Sequence, residues 1–317
     1  MKAGFSIAVS VVALALTPLV PAQTYPSKPV RLIVPFSPGD SPDLSARVLA
    51  ERLTGPLGQQ VIVENRAGAG GLVGAEAALK SAADGYTLLY GTTALATITP
   101  FVRKVPYELQ DMEPVAQVVA GVMVATVNQS FPANTWAEFV AEAKRNPGKY
   151  TVASSGNGTI LHLSAEQLQQ VAGIQLLHVP YKGLAPAMAD FLTGQVNLTL
   201  ELTTAMPHIR SGKAKALLAL TDNRIADLRG VPTAKELGVP FTLKPWFGVF
   251  VPRGTSRAII AQLAGSIERA ATSNEFRDRL PPGTGPAWLG TDAFTQSIAT
   301  DRAAYSTLVK RLDIRLD

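Results

Sequence analysis

The chain has 317 residues, 47% of them hydrophobic and 17% charged, which is enough apolar material for one large core or two medium ones and excludes a disordered or fibrous chain. Lysine plus arginine exceed aspartate plus glutamate by 29 − 24 = 5, with no long run of like charge, so a nucleic-acid-binding stripe is excluded. Cysteine is absent, which rules out disulfides, thiolate metal sites, cysteine nucleophiles and a lipid-modified cysteine, and the three histidines (His162, His178, His208) show no metal-ligand spacing.

Lys2 precedes an apolar stretch from Phe5 to Leu16, followed by Thr17-Pro18 and the small-residue end Val20-Pro21-Ala22. This pattern predicts a secretory signal peptide over 1–22, cleaved after Ala22, and hence a mature protein outside the cytoplasm. The run is shorter than the roughly 20 residues that span a bilayer. From there, strand-like runs rich in Val, Ile, Leu and Tyr fall at Val30–Pro35, Val61–Glu64, Tyr86–Tyr90, Lys149–Ala153, Gln175–Val179, Val196–Leu202 and Lys215–Leu220. Helix-period segments separate them. In Pro42–Leu53 the stripe is Leu44, Val48, Leu49 and Leu53; in the second half Trp136, Phe139, Val140 and Ala143 do the same. Pro147-Gly148 and Gly173 are stop signals. The alternation predicts α/β architecture with parallel sheets covered on both faces. The last 70 or so residues read as mainly helical, including Ser256–Ala271 and Asp292–Leu312.

Two apolar stretches break the rhythm, Val115–Asn128 and Trp246–Val251, and the first is too long for one strand and carries Gly121 near its middle. The expectation is that the chain leaves one lobe on the first and returns on the second. That gives lobe 1 as 23–122 and 248–317, lobe 2 as 123–247, and a two-strand hinge; a single doubly wound domain is the alternative. Each lobe contains a strand running into a polar, Gly-rich turn that opens a helix: Val34-Pro35-Phe36-Ser37-Pro38-Gly39-Asp40-Ser41-Pro42-Asp43 and Val152-Ala153-Ser154-Ser155-Gly156-Asn157-Gly158-Thr159. In the first, Ser41 is read as the N-cap, Pro42 as the first helical residue and Asp43 as complementing the positive helix end. Such turns offer free backbone N–H groups to an anion, and they lie where open α/β sheets bind ligands.

Competing chemistry is thin. Gly68-Ala69-Gly70-Gly71-Leu72-Val73-Gly74 misses the GxGxxG spacing because Val73 stands at the third position, so it reads as a structural turn. Ser154-Ser155 near His162 has no placed orienting acid.

The chain resembles the Bug family, the extracytoplasmic solute receptors of tripartite tricarboxylate transporters. The likeness covers essentially the whole mature chain. It rests on Tyr25–Arg31, the Val34–Asp43 turn, Val63–Gly71, Asp84–Leu89, Ser155–Thr159 with His162-Leu163, His178–Gly183, Pro207–Ile209 and Trp246–Gly248. It implies a two-lobe, type II periplasmic binding protein fold that closes about a hinge and is not an enzyme. The implied ligand is a small carboxylate (dicarboxylate, tricarboxylate or aromatic carboxylate), and the implied partners are the transporter's membrane subunits. No cofactor, metal or nucleic acid is expected, and the receptor is expected to be a monomer. The implied ligand-binding residues are Phe36, Pro38, Gly39, Ser41 and Asp43 in lobe 1 and Ser155, Gly156, Gly158, Thr159 and His162 in lobe 2, with Thr92, Thr93 and Glu201 bordering the cleft. A sensor feeding a signalling system and a periplasmic hydrolase or isomerase are the alternatives.

Two positions depart from the family. Asp40 stands where a second glycine is usual; its carboxylate is expected either to take the N–H groups a ligand anion would use or to repel that anion, or else to point to solvent as a helix cap. Asn197 and Glu201 replace aspartates in the Val196–Leu202 strand, and Glu201 on its longer arm could reach an amino or hydroxyl donor on a ligand. The Asp40 departure admits a neutral, amide-bearing or cationic ligand group facing this loop.

Overall fold

The computed structural model describes residues 25–241 and 243–316. The leader expected over 1–22 lies outside the described residues. In chain order the first elements are β1 (Val30–Val34), α1 (Ser41–Leu57), β2 (Val61–Asn65), α2 (Leu72–Leu79), β3 (Thr87–Thr92), α3 (Thr93–Thr97), α4 (Thr99–Val102) and β4 (Met112–Gly121). After a single intervening residue come β5 (Met123–Asn128), α5 (Trp136–Arg145), β6 (Thr151–Ser154), α6 (Ile160–Ala172), β7 (Leu177–Pro180), α7 (Met188–Thr193), β8 (Leu198–Glu201), α8 (Leu202–Arg210) and β9 (Ala214–Ala219). The chain ends with β10 (Trp246–Pro252), α9 (Arg257–Ala271), α10 (Asn274–Arg279), β11 (Thr284–Leu289) and α11 (Thr291–Leu312).

Two sheets result: a six-stranded one, β11-β4-β10-β3-β1-β2, and a five-stranded one, β7-β6-β8-β5-β9. The long Val115–Asn128 stretch is two strands, β4 in the first sheet and β5 in the second, broken at Gly121-Val122. The chain returns on β10, which lies wholly in the first sheet. The all-parallel expectation needs correcting. Within each sheet the βα units pair in parallel, β2-β1-β3 and β7-β6-β8. The crossing strands do not: β10 runs antiparallel to β3 and β4, and β5 antiparallel to β8 and β9. A strand arriving directly from the other lobe has no crossover helix to reverse it, so it enters the opposite way. The sequence also hid β11. Its Thr-Gly-Pro-Ala-Trp-Leu run contains two turn-forming residues, which the edge of the sheet tolerates because one face of the ladder needs no N–H.

α1 begins one residue earlier than expected, with Asp40 in the N-cap position and Pro42 within the first turn, and it runs past Leu53 to Leu57. Its buried stripe is also rotated: Ser45, Ala46, Leu49, Ala50 and Leu53 face the sheet while Leu44 is exposed. The small residues let the helix lie close to β1, and each fully buried leucine contributes about 1.5–3 kcal/mol. α11, expected with lobe 1, also reaches beyond the first sheet. Phe294 and Ile298 pack beneath the first sheet with Trp246 and Phe250, whereas Tyr305, Leu308 and Val309 join a cluster that runs from Ala94, Ile98 and Val102 of lobe 1 into the core of the second lobe. One long helix thus spans both lobes beside the crossing strands, tied there by Trp246 Nε1 donating to Asp301 (2.7 Å) and Arg302 Nε donating to the Ala96 carbonyl (2.8 Å).

A candidate ligand site between the lobes

The first polar turn follows β1 at the carboxyl end of the first sheet, and the second follows β6 at the equivalent end of the other. They meet. A cavity of ≈ 60 Å³, counted as the space open to the centre of a water molecule, lies between them and is lined by Phe36, Asp40, Ser41 and Thr92 from lobe 1 and by Ser155, Thr159 and Glu201 from lobe 2. One water needs ~10–15 Å³ on that measure, so the cavity takes a guest displacing roughly five waters.

The lobes are closed on one another around this space. The Thr99 hydroxyl donates to the Gly158 carbonyl (3.1 Å), and the Ser37 hydroxyl to the Lys182 carbonyl (2.9 Å). Gly70 lies so near Asn157 that a Cβ there would come within 2.7 Å of its carbonyl oxygen. Thr203, at the start of α8, bridges the Ser41 Oγ (3.2 Å) and the Pro282 carbonyl (2.7 Å).

Asp40 makes the most consequential crossing. It is 3% exposed and makes no side-chain bond to its own helix, so it is not the solvent-facing cap that was one expectation for it. Its Oδ1 instead accepts from the Ala185 N–H (2.6 Å), in the turn that opens α7 across the cleft. Its Oδ2 is buried without a partner, against Gly183, where any side chain would overlap it. Burial, reinforced by the nearby Glu201 charge and opposed by the amides of Ala185, Leu184 and Ser37, pushes the carboxyl up to about 7. Glu201 answers from the other side. It N-caps α8, accepting from the Thr204 N–H (3.3 Å) and hydroxyl (2.7 Å), and Ser41 offers it both its backbone and side-chain donors. Desolvation raises its pKa as well.

The remaining expected residues lie outside the cavity lining. Asp43 is buried, accepts from the Gly39 N–H (2.9 Å) and the Asn65 side chain (2.8 Å), and pairs with Arg47, so it braces the turn from within. Gly39 adopts φ 88°, which makes the turn possible, and Pro38 is exposed. Thr93 is engaged by the backbone of Trp246, whose N–H donates to its Oγ1 (2.7 Å), and so it fastens β3 to the returning strand. Gly156 and Gly158 take positive φ in the second turn. His162 Nδ1 accepts from the Gly158 N–H (3.2 Å), and its ring stacks on His178 at 4.1 Å. Desolvation, with His178 beside it, lowers its pKa to about 4, so it is neutral at physiological pH.

Sequence reasoning missed much of the apolar lining, which includes Ala94, Val122, Met123, Leu184 and Phe247. Val122, Met123 and Phe247 belong to the crossing segments, whose apolar runs carry no signal for which residue faces a cleft. The one serine–histidine contact among these residues is Ser154 Oγ to His178 Nε2 (2.6 Å). Ser154 is fully buried, its hydroxyl also engages the Gly156 backbone, and it does not line the cavity.

Residues 45–313 match the family model described as the tripartite tricarboxylate transporter family receptor. The chain is 40% identical over 303 residues to Protein BugT of Bordetella pertussis, covering 94% of this chain and 93% of that one. Among solved structures it is similar to the periplasmic binding protein BugD (32% identity, 92% of this chain and 99% of that one, TM-score 0.87). It is also similar to an R. palustris protein solved with adipate (29% identity, 92% of this chain and 99% of that one, TM-score 0.87). The chain therefore belongs to the Bug family, the solute receptors of tripartite tricarboxylate transporters.

Proposed function

We propose that the chain is an extracytoplasmic solute-binding protein that captures a small carboxylate between its lobes and presents the closed form, as a monomer without catalysis, to the membrane subunits of a tripartite tricarboxylate transporter. One observation carries the reading: the polar turns of both lobes line a single cavity. A ligand touching both turns gains contacts only when the lobes close, so it favours closure by that difference. Closure also removes water, which strengthens each hydrogen bond to a charged group. The adipate held by the R. palustris relative supports a carboxylate ligand, and the buried position of Ser154 supports binding without nucleophilic chemistry. Export and removal of residues 1–22 complete the proposal. Mass spectrometry of small molecules released from the purified mature protein, followed by calorimetry, tests it. A carboxylate bound one-to-one at micromolar affinity or tighter, about 8 kcal/mol, is expected. A chain that binds no carboxylate overturns it.

A further inference from the structure

The donors facing the cavity divide unequally between those the chain has already used and those it has left open. Asp40, from lobe 1, sits on the Ala185 amide of lobe 2. Glu201, from lobe 2, takes the Thr204 donors and faces those of Ser41 at the start of α1. Each lobe therefore supplies a carboxylate to backbone donors of the other. Among the described residues no lysine, arginine or histidine lines the cavity to balance these two acids, and much of the remaining wall is apolar: Phe36, Ala94, Val122, Met123, Leu184 and Phe247.

Two sets of donors stand out among those that remain. The N–H groups of Ile160 and Leu161 open the 13-residue helix α6, where no intrahelical partner exists and the helix dipole is positive. Both residues line the cavity, next to Ser155 and Thr159. Independently, the Thr92 hydroxyl, on the opposite wall, is buried with no hydrogen-bond partner, in a residue only 5% exposed. A buried hydroxyl without a partner is costly, and a ligand oxygen in this cavity would satisfy it.

We propose that this receptor takes a monocarboxylate, one carboxylate anchored at the start of α6 and by Thr92 with an uncharged, mainly apolar body, and discriminates against di- and tricarboxylates. The inference rests on the receptor reading above and narrows its ligand. A second ligand carboxylate would meet two acids and no cation, and the amides it needs are already occupied.

Calorimetry at pH 8, where the Asp40 carboxyl is ionised, with hexanoate and adipate tests this at constant chain length, since the two differ by one carboxylate; benzoate and terephthalate repeat the comparison on a rigid body. In each pair the monoanion is expected to bind at least tenfold more tightly. In the Asp40→Asn/Glu201→Gln variant, shown folded by its thermal transition, that preference is expected to shrink to threefold or less. Tighter binding of adipate and terephthalate by the unaltered protein would overturn the monocarboxylate assignment and leave the receptor reading standing. Failure of all four, and of a wider panel of mono- and dicarboxylates, would overturn both.

Discussion

The two polar turns look alike in sequence and behave differently in the fold. In lobe 1 the turn is spoken for: Gly39 donates to Asp43, Asp40 crosses to Ala185, and Ser41 is engaged by Thr203 and faces Glu201. In lobe 2 the turn is braced from behind. Ser154 and His162 accept from Gly156 and Gly158, the Thr159 side chain N-caps α6, and the next two residues, Ile160 and Leu161, line the cavity. A turn that spends its donors on the protein's own carboxylates shapes and charges a site, whereas one that leaves them open anchors a guest.

The largest test acts on the charge of the lobe 1 turn. The Asp40 carboxyl is held at about 7 in the closed protein against an ordinary 3.8. Between those values the folded protein keeps a proton that the unfolded chain releases, so stability is lost as pH rises from about 4 to about 7. The displacement of about three units corresponds to at most about 4 kcal/mol. The raised Glu201 carboxyl acts in the same direction, so the comparison is with Asp40→Asn, in which the Asp40 contribution disappears. Thermal unfolding of both proteins from pH 4 to pH 8 is expected to show the difference in Tm, variant minus unaltered, rising across that window. A difference that stays constant with pH would mean that Asp40 is solvated and the crossing is not maintained in solution.

Gly183→Ala acts on the crossing itself. Gly183 has φ 138°, and a Cβ there would overlap Asp40 Oδ2, so the side chain both strains the loop and keeps the lobes apart. Ligand affinity is expected to fall about 100-fold, close to 3 kcal/mol, with solution scattering reporting a more open form. Asp40→Gly in the same chain removes the overlap and is expected to recover part of the affinity. Recovery would place the fault in the collision; none would place it in the backbone of the loop.

These positions also mark how far the sequence could be read. The N-cap of α6, the glycines of both turns and the break at Gly121 are local, and local chemistry announces them: Thr159 before a helix-period run, glycine where φ is positive, glycine where a strand divides. The departure of Asp40 from the family was visible for the same reason, and its carboxylate does accept an N–H group, although that group belongs to a residue 145 positions away. That distance is why the partner could not be named. Gly183 stood in a recognised motif, but its reason is the carboxylate opposite, which only the closed arrangement supplies. The rotation of the α1 stripe, the antiparallel entry of β10 and the shared helix α11 depend likewise on which lobe each surface meets.

The smallest test separates stability from binding on the wall facing the lobe 2 turn. Thr92 keeps a buried hydroxyl without a partner, and valine has nearly the same shape without the oxygen. If the hydroxyl serves only the fold, Thr92→Val should lower Tm. If it is held for a ligand, the substitution should leave Tm unchanged or raise it, because an unsatisfied polar group is removed, while weakening carboxylate binding about five- to tenfold, on the order of 1 kcal/mol. Opposite signs in the two measurements are what an anchoring role requires, since a packing residue loses stability and affinity together.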